Sequence, residues 1–284
     1  MPARWYVMFV GGLLLSAAVS VRAADNPSPP AMQTLVTPGG TRYGLFGEKP
    51  AAPAPTLFVL ASTLEAMAQD GGRIYTATGV ELFREGWLYV TVDVPCHGAD
   101  RMEGQPTELE GWAHRVKTGQ DLFGPFNRRC SEVLDHLIAE GYTDPERVAA
   151  VGTSRGGLSA LHFAAAEPRV RAVTAISPVT DPLALREFEG VTAEQVRSIA
   201  ADSLVPALAG RPVGITMGND DARVNTDACI AFARALVTKT REQYSKKPFV
   251  PVELIVGPAA GHTAVDGAYP TAARFLRRYV GPRP

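Results

Sequence analysis

The sequence predicts an α/β fold, a mostly parallel twisted sheet with helices on both faces and a small helical insertion. Three observations predict it. Runs such as "TLFVLA", "RVAAVG", "RAVTAIS" and "VPVELIV" are apolar throughout, as strands covered on both faces must be. An amphipathic stretch follows each core run, which is the alternation of a parallel sheet. At 46% hydrophobic and 20% charged, the 284 residues can bury a large core. The formal net charge of −1 and the lack of a Lys/Arg block give no electrostatic case for nucleic-acid binding.

The first 23 residues differ from the rest. Arg4 precedes an apolar run from Trp5 to Val21, and Val21 and Ala23 supply small residues at a cleavage site. That layout predicts a secretory signal peptide over residues 1–23 and a secreted or periplasmic protein. No stable membrane association is expected after cleavage. An uncleaved anchor is the alternative, because the run approaches spanning length. Residues 24–55 read as a Pro-rich lead-in followed by a hairpin, with strands at 34–37 and 42–46 around "PGG".

The main domain is expected over residues 56–284. "TLFVLA" is its first strand, a helix follows over 73–84, and "WLYVTVDV" is the next strand. A long loop then leads to one helix over 116–140, where Leu122, Phe126, Val133, Leu134, Leu137 and Ile138 recur near helical spacing. "RVAAVG" and "GGLSALHFAAAE" are a strand and helix, and "RAVTAIS" is a strand. Residues 181–209 form the helical insertion. "PVGITMG", "TDACIAFARALVTKTREQY", "VPVELIV" and "AYPTAARFLRRYV" alternate strand and helix to the end.

In open parallel sheets, ligands bind beyond the C-terminal ends of the strands. One such end reads Gly152-Thr153-Ser154-Arg155-Gly156-Gly157. It is either a plain tight turn or a Gly-x-Ser-x-Gly turn that exposes a nucleophile. In the second case the glycines are needed because the backbone reverses where a Cβ would clash. The serine also opens a helix, whose free N–H groups favour developing negative charge.

Serine needs a base. The five histidines are His97, His114, His136, His162 and His262. In this topology the base follows the acid after the last strand, and only His262, in "GPAAGHTAVDG", lies there. His97 also follows a strand but precedes Ser154. His162 reads as a packed helix residue and His136 as an exposed one. A carboxylate must orient the imidazole. Asp220 and Asp221 follow "PVGITM", and either can serve; Asp181 is a third choice. The oxyanion needs two donors, expected from the Arg155 N–H and from the loop at Ser62-Thr63-Leu64, with Thr63 favoured. Arg101, Trp112 and Arg223 either line the mouth or are ordinary solvated and packing residues.

Three cysteines, Cys96, Cys130 and Cys229, leave at least one thiol unpaired, and Cys96 with Cys130 is the candidate disulfide. No Cys/His spacing suggests a metal site.

"GTSRGG", "GNDDARV", "AGH" and "DVPCHG" together resemble the α/β-hydrolase superfamily, and more narrowly its dienelactone hydrolase and prolyl-oligopeptidase-like branch, over about residues 56–280. The resemblance implies an α/β-hydrolase fold and a Ser154–His262–Asp221 triad, and it favours Asp221 over Asp220. One departure stands out: many relatives carry His-Gly-Gly after the first core strand, and this chain has "ASTLEAM". The expected activity is hydrolysis of a carboxylic ester on a small acyl substrate, with no cofactor or metal. A serine peptidase and a catalytically silent binding protein on the same scaffold are the alternatives.

Overall fold

The computed structural model describes residues 29–246 and 248–281. The expected signal peptide lies outside them. Among the described residues, eight strands form one sheet in the order β1-β2-β4-β3-β5-β6-β7-β8. The hairpin β1 (Met32–Val36) and β2 (Arg42–Phe46) is antiparallel and joins the edge through β4 (Leu88–Thr91). The other strands run parallel: β3 (Ala54–Leu60), β5 (Thr143–Thr153), β6 (Val170–Ile176), β7 (Val213–Gly218) and β8 (Val252–Gly257).

The period-2 geometry of a strand divides β3 between two cores. Leu57 and Val59 face one layer, and Phe58 and Leu60 the other. The first layer is covered by α1 (Leu64–Asp70), α2 (Ala77–Phe83) and the last helix, through Met67, Val80, Phe275 and Leu276. The second is covered by α3 (Glu108–Lys117), α4 (Gly124–Ala139) and α5 (Arg155–Ala166). There Phe58 meets Phe163 with ring centroids 4.8 Å apart. The insertion between β6 and β7 carries two short helices, α6 (Ala193–Val196) and α7 (Val205–Leu208), and 3₁₀ turns. Then come α8 (Thr226–Gln243) and α9 (Ala268–Val280), whose Ala268, Ala272, Phe275, Leu276 and Val280 make a buried stripe.

Three expectations are corrected. The single helix over 116–140 is two helices. Gly119, at φ +70°, ends α3, with bonds from Gly119 N–H to Val116 O (3.1 Å) and Gln120 N–H to Arg115 O (2.8 Å). That pair of bonds is a Schellman termination, and Pro125 then suits only the first turn of α4. The helix expected over 73–84 is the shorter α2, beginning at Ala77, and an unexpected helix, α1, precedes it from the Thr63 cap. Finally, Cys96 and Cys130 are not bonded; both thiols are free and buried. Cys96 packs on Gly111 of α3, Cys130 lies inside α4, and burial pushes the Cys96 thiol up to about 11.

The insertion is tied to α5 by His162. Its ring stacks on Phe123 with centroids 3.7 Å apart, and Nε2–H donates to Ile199 O at 2.9 Å. Burial pushes its pKa down to about 4, so the ring is neutral in the folded chain. A depressed folded value means that its contribution to stability is full above 6.5 and lost as pH falls toward 4. The melting temperature is therefore expected to fall across that window, and less steeply in His162→Asn. Equal slopes in the two proteins would contradict a buried neutral ring.

Candidate active site

The strand-to-helix turn after β5 is a backbone reversal with no room for side chains beside it. A Cβ on Gly152 would overlap the carbonyl of Gly156, and one on Gly156 would overlap the carbonyl of Leu60. Ser154 between them has φ +57° and ψ −120°. A serine in such a region costs about 1–3 kcal/mol and persists only where the surroundings enforce it. The enforcing bonds are from Ser154 N–H to Ile176 O (2.9 Å) and from Val179 and Gly157 N–H to Ser154 O (3.2 and 2.9 Å). The turn lifts the hydroxyl out at the end of the sheet, at the start of α5.

Asp221 lies after β7 with its side chain fully buried. Its Oδ1 accepts from the N–H groups of Arg223 (3.1 Å) and Val224 (3.3 Å), and its Oδ2 accepts from His262 Nδ1 at 2.8 Å. Thr226 Oγ1 accepts from Asp221 N–H at 3.0 Å and donates to Gly218 O at 2.7 Å, which closes the loop. Asp220 is exposed, and Asp181 caps a 3₁₀ turn at Leu183. Of the three candidate carboxylates, Asp221 alone meets the imidazole.

His262 sits in the loop after β8. Its Nε2 lies 2.9 Å from Ser154 Oγ. With the Nδ1 proton directed at the carboxylate, the Nε2 lone pair faces the serine hydroxyl, which donates to it. The structure thus brings Ser154, His262 and Asp221 into one line from residues up to 108 positions apart. His97 is elsewhere: it is buried, Nδ1–H donates to Pro95 O at 2.8 Å, and burial holds its pKa down at about 4. His136 is half-buried against the edge of Tyr43 rather than exposed.

A cavity of about 480 Å³ opens over Ser154 and His262. Ala61, Ile74, Tyr75, Ala264 and Tyr269 give it an apolar and aromatic wall. The sequence carried no signal for the two tyrosines, one in the turn before α2 and the other in the first turn of α9, nearly 200 residues apart. Ala61 rather than Thr63 borders the cavity on the β3 side. The Thr63 hydroxyl caps α1, accepting from Ala66 N–H at 3.1 Å. The N–H groups of Thr63 and Arg155 meet no acceptor among the described residues. Buried Asp93 holds this turn, accepting from the N–H groups of Leu64 (2.7 Å) and Ala99 (2.9 Å). Arg101 is exposed, Trp112 is buried with Nε1–H on Pro95 O at 2.7 Å, and Arg223 pairs with Glu187 at 2.7 Å. None of the three borders the cavity.

Asp70 builds the wall that carries Ile74 and Tyr75. Its carboxylate accepts from Tyr75 N–H (3.1 Å), Thr76 N–H (3.0 Å) and Thr76 Oγ1 (2.8 Å), and more weakly from Ile74 N–H. Burial works against its charge, but these bonds outweigh burial and hold its pKa below 3.8. Its contribution is full above that ordinary value and lost as pH falls through the lower folded one. Asp70→Asn is expected to cost about 1–3 kcal/mol in urea unfolding at neutral pH. A cost under about 0.5 kcal/mol would contradict the role given to this carboxylate.

Residues 128–280 match the prolyl oligopeptidase family (Peptidase_S9). No curated protein matches the chain. Among solved structures, it is similar to TT1662 from Thermus thermophilus, at 19% identity and a TM-score of 0.63, over 89% of this chain and 98% of that one. It is also similar to acetyl xylan esterase 1 from Thermoanaerobacterium sp. JW/SL YS485, at 17% identity and 0.64, over 87% and 82%. Dipeptidyl peptidase 4 from Porphyromonas gingivalis gives 16% and 0.64, over 89% of this chain but only 36% of that longer one. At these identities the structural likenesses speak for the α/β-hydrolase fold. The family match spans more than half of the sequence: the chain belongs to the prolyl oligopeptidase family, among the serine hydrolases of the α/β-hydrolase superfamily.

Proposed function

We propose that this chain hydrolyses carboxylic esters through Ser154, His262 and Asp221. One observation carries the reading: the line of hydrogen bonds from a buried carboxylate through an imidazole to a strained, accessible serine, at 2.8 and 2.9 Å. His262 takes the proton of Ser154 as its oxygen attacks the acyl carbon. Asp221 fixes the tautomer and stabilises the cation that forms. The N–H of Arg155, at the start of α5, and an amide of the 61–63 turn, with Thr63 the expected donor, receive the oxyanion. The leaving alcohol departs with the proton from His262. Water, activated by the same ring, then releases the acid from the acyl-enzyme.

The wall of Ala61, Ile74, Tyr75, Ala264 and Tyr269 suits an apolar acyl group; among the described residues the one charged side chain lining the cavity besides the triad is Arg155, and no carboxylate borders it to pair with a peptide amino group. These features favour an ester over a peptide. The family match favours the second reading, a serine peptidase. We also propose export, on the strength of residues 1–23 alone.

Turnover of short acyl p-nitrophenyl esters and of peptide anilides separates the two readings. Esters are expected to be the better substrates by kcat/KM; anilides turned over faster would select the peptidase. His262→Ala is expected to lower kcat by about 10⁴-fold or more on the preferred substrate. A loss under about tenfold would remove His262 as the base. Asp221→Asn is expected to be severely impaired and Asp220→Asn close to wild type; the reverse order would reassign the acid.

A further inference from the structure

A second strained serine lies beside the first. Ser177 follows β6 at φ +43°, in the left-handed region where glycine is the unstrained choice. It is buried and borders the cavity. Its N–H donates to Thr216 O at 2.8 Å, which extends the β6–β7 pairing past the strand end. Its hydroxyl donates to Thr263 O at 3.3 Å, on the residue next to His262.

The segment that carries His262 is held at both ends and at the ring. Asn219 N–H donates to Gly257 O at 2.8 Å, Asp221 holds Nδ1 at 2.8 Å, and Val265 is buried in the core. Between those points the backbone has wide freedom, because Gly261 has φ +59° and Gly267 has φ +74°. The bonds within the turn are local: Thr263 N–H to Gly261 O at 2.9 Å and Thr263 Oγ1 to Ala260 O at 3.2 Å. The Ser177 hydroxyl adds a tether from the sheet end to the main chain directly beside the histidine. A residue that keeps a side chain where glycine would relieve strain is expected to use that side chain.

We propose that Ser177 is a positioning residue for His262, acting through the Thr263 carbonyl to hold the imidazole in line with Ser154. This rests on the triad reading given above. Ser177 touches neither Ser154 Oγ nor the imidazole through a hydrogen bond among the described residues, so its effect passes through the loop. A small displacement of the base lowers the rate of proton transfer without weakening ground-state binding.

The experiment measures kcat, KM and the melting temperature for wild type, Ser177→Gly, Ser177→Ala and Ser154→Ala on one activated ester. Ser177→Gly removes the hydroxyl and the strain together. It is expected to melt at or above the wild-type temperature while kcat falls about tenfold or more and KM stays within about twofold. Ser177→Ala keeps the strain without the bond, so it is expected to show the same kcat loss with a lower melting temperature. Wild-type kcat in Ser177→Gly would overturn the inference. So would a raised KM at unchanged kcat, which marks a substrate contact, or a Ser177→Gly protein that loses stability and kcat together, which marks a structural role. Ser154→Ala separates the levels. If it turns over like wild type, the triad reading fails; if it is dead while Ser177→Gly keeps its kcat, only the role of Ser177 fails.

Discussion

The proposed function depends on the ring of His262 lying between a carboxylate that water cannot reach and a serine held in an unfavourable backbone conformation. Neither flanking group is held in place by its local sequence alone. Asp221 stays buried because two main-chain N–H groups and the ring nitrogen satisfy it. Ser154 stays strained because the carbonyl of Ile176, on the neighbouring strand, holds its N–H, and because Gly152 and Gly156 let the chain pass. The energy for this comes from the sheet, whose central strands are buried on both faces.

The pairing does not stop where the strands stop. Ser154 N–H reaches Ile176 O, Ser177 N–H reaches Thr216 O, and Asn219 N–H reaches Gly257 O. These three bonds join the ends of β5, β6, β7 and β8 one after another. The serine, the carboxylate and the histidine therefore hang from one continuous edge, although they are far apart in sequence. The apolar layers beneath set the rigidity of that edge, and the loops above set what fits over it. Asp70 plays the second part, tying Tyr75 of the cavity wall, and Thr76 beside it, to the end of α1 through hydrogen bonds.

Much of this was legible in the residues, for reasons that also explain what was not. Strands buried on both faces leave a continuous apolar run, so the core strands could be read directly. The elbow was legible because its geometry demands glycine. Asp220 and Asp221 were not separable by pattern, because adjacent loop residues share every local property; burial and the bond to His262 distinguish them, and the family resemblance favoured Asp221. The long helix was misread because Leu122 and Phe126 continue the apolar spacing across a break that Gly119 and Pro125 impose. The cysteine pairing was misread because parity says nothing about distance, and each thiol packs into apolar surroundings instead. Tyr75 and Tyr269 left no trace in the sequence, since a wall built from a turn and a distant helix start exists only after folding.

The claim that matters most is that Ser154 is the accessible, activated nucleophile of a line ending at Asp221. Treating the folded protein with a fluorophosphonate and locating the adduct by tandem mass spectrometry tests it directly. A single stoichiometric adduct on Ser154, absent when His262 is replaced by alanine, is the expected result. A folded protein that stays unlabelled, or one whose adduct sits on another residue, would contradict it.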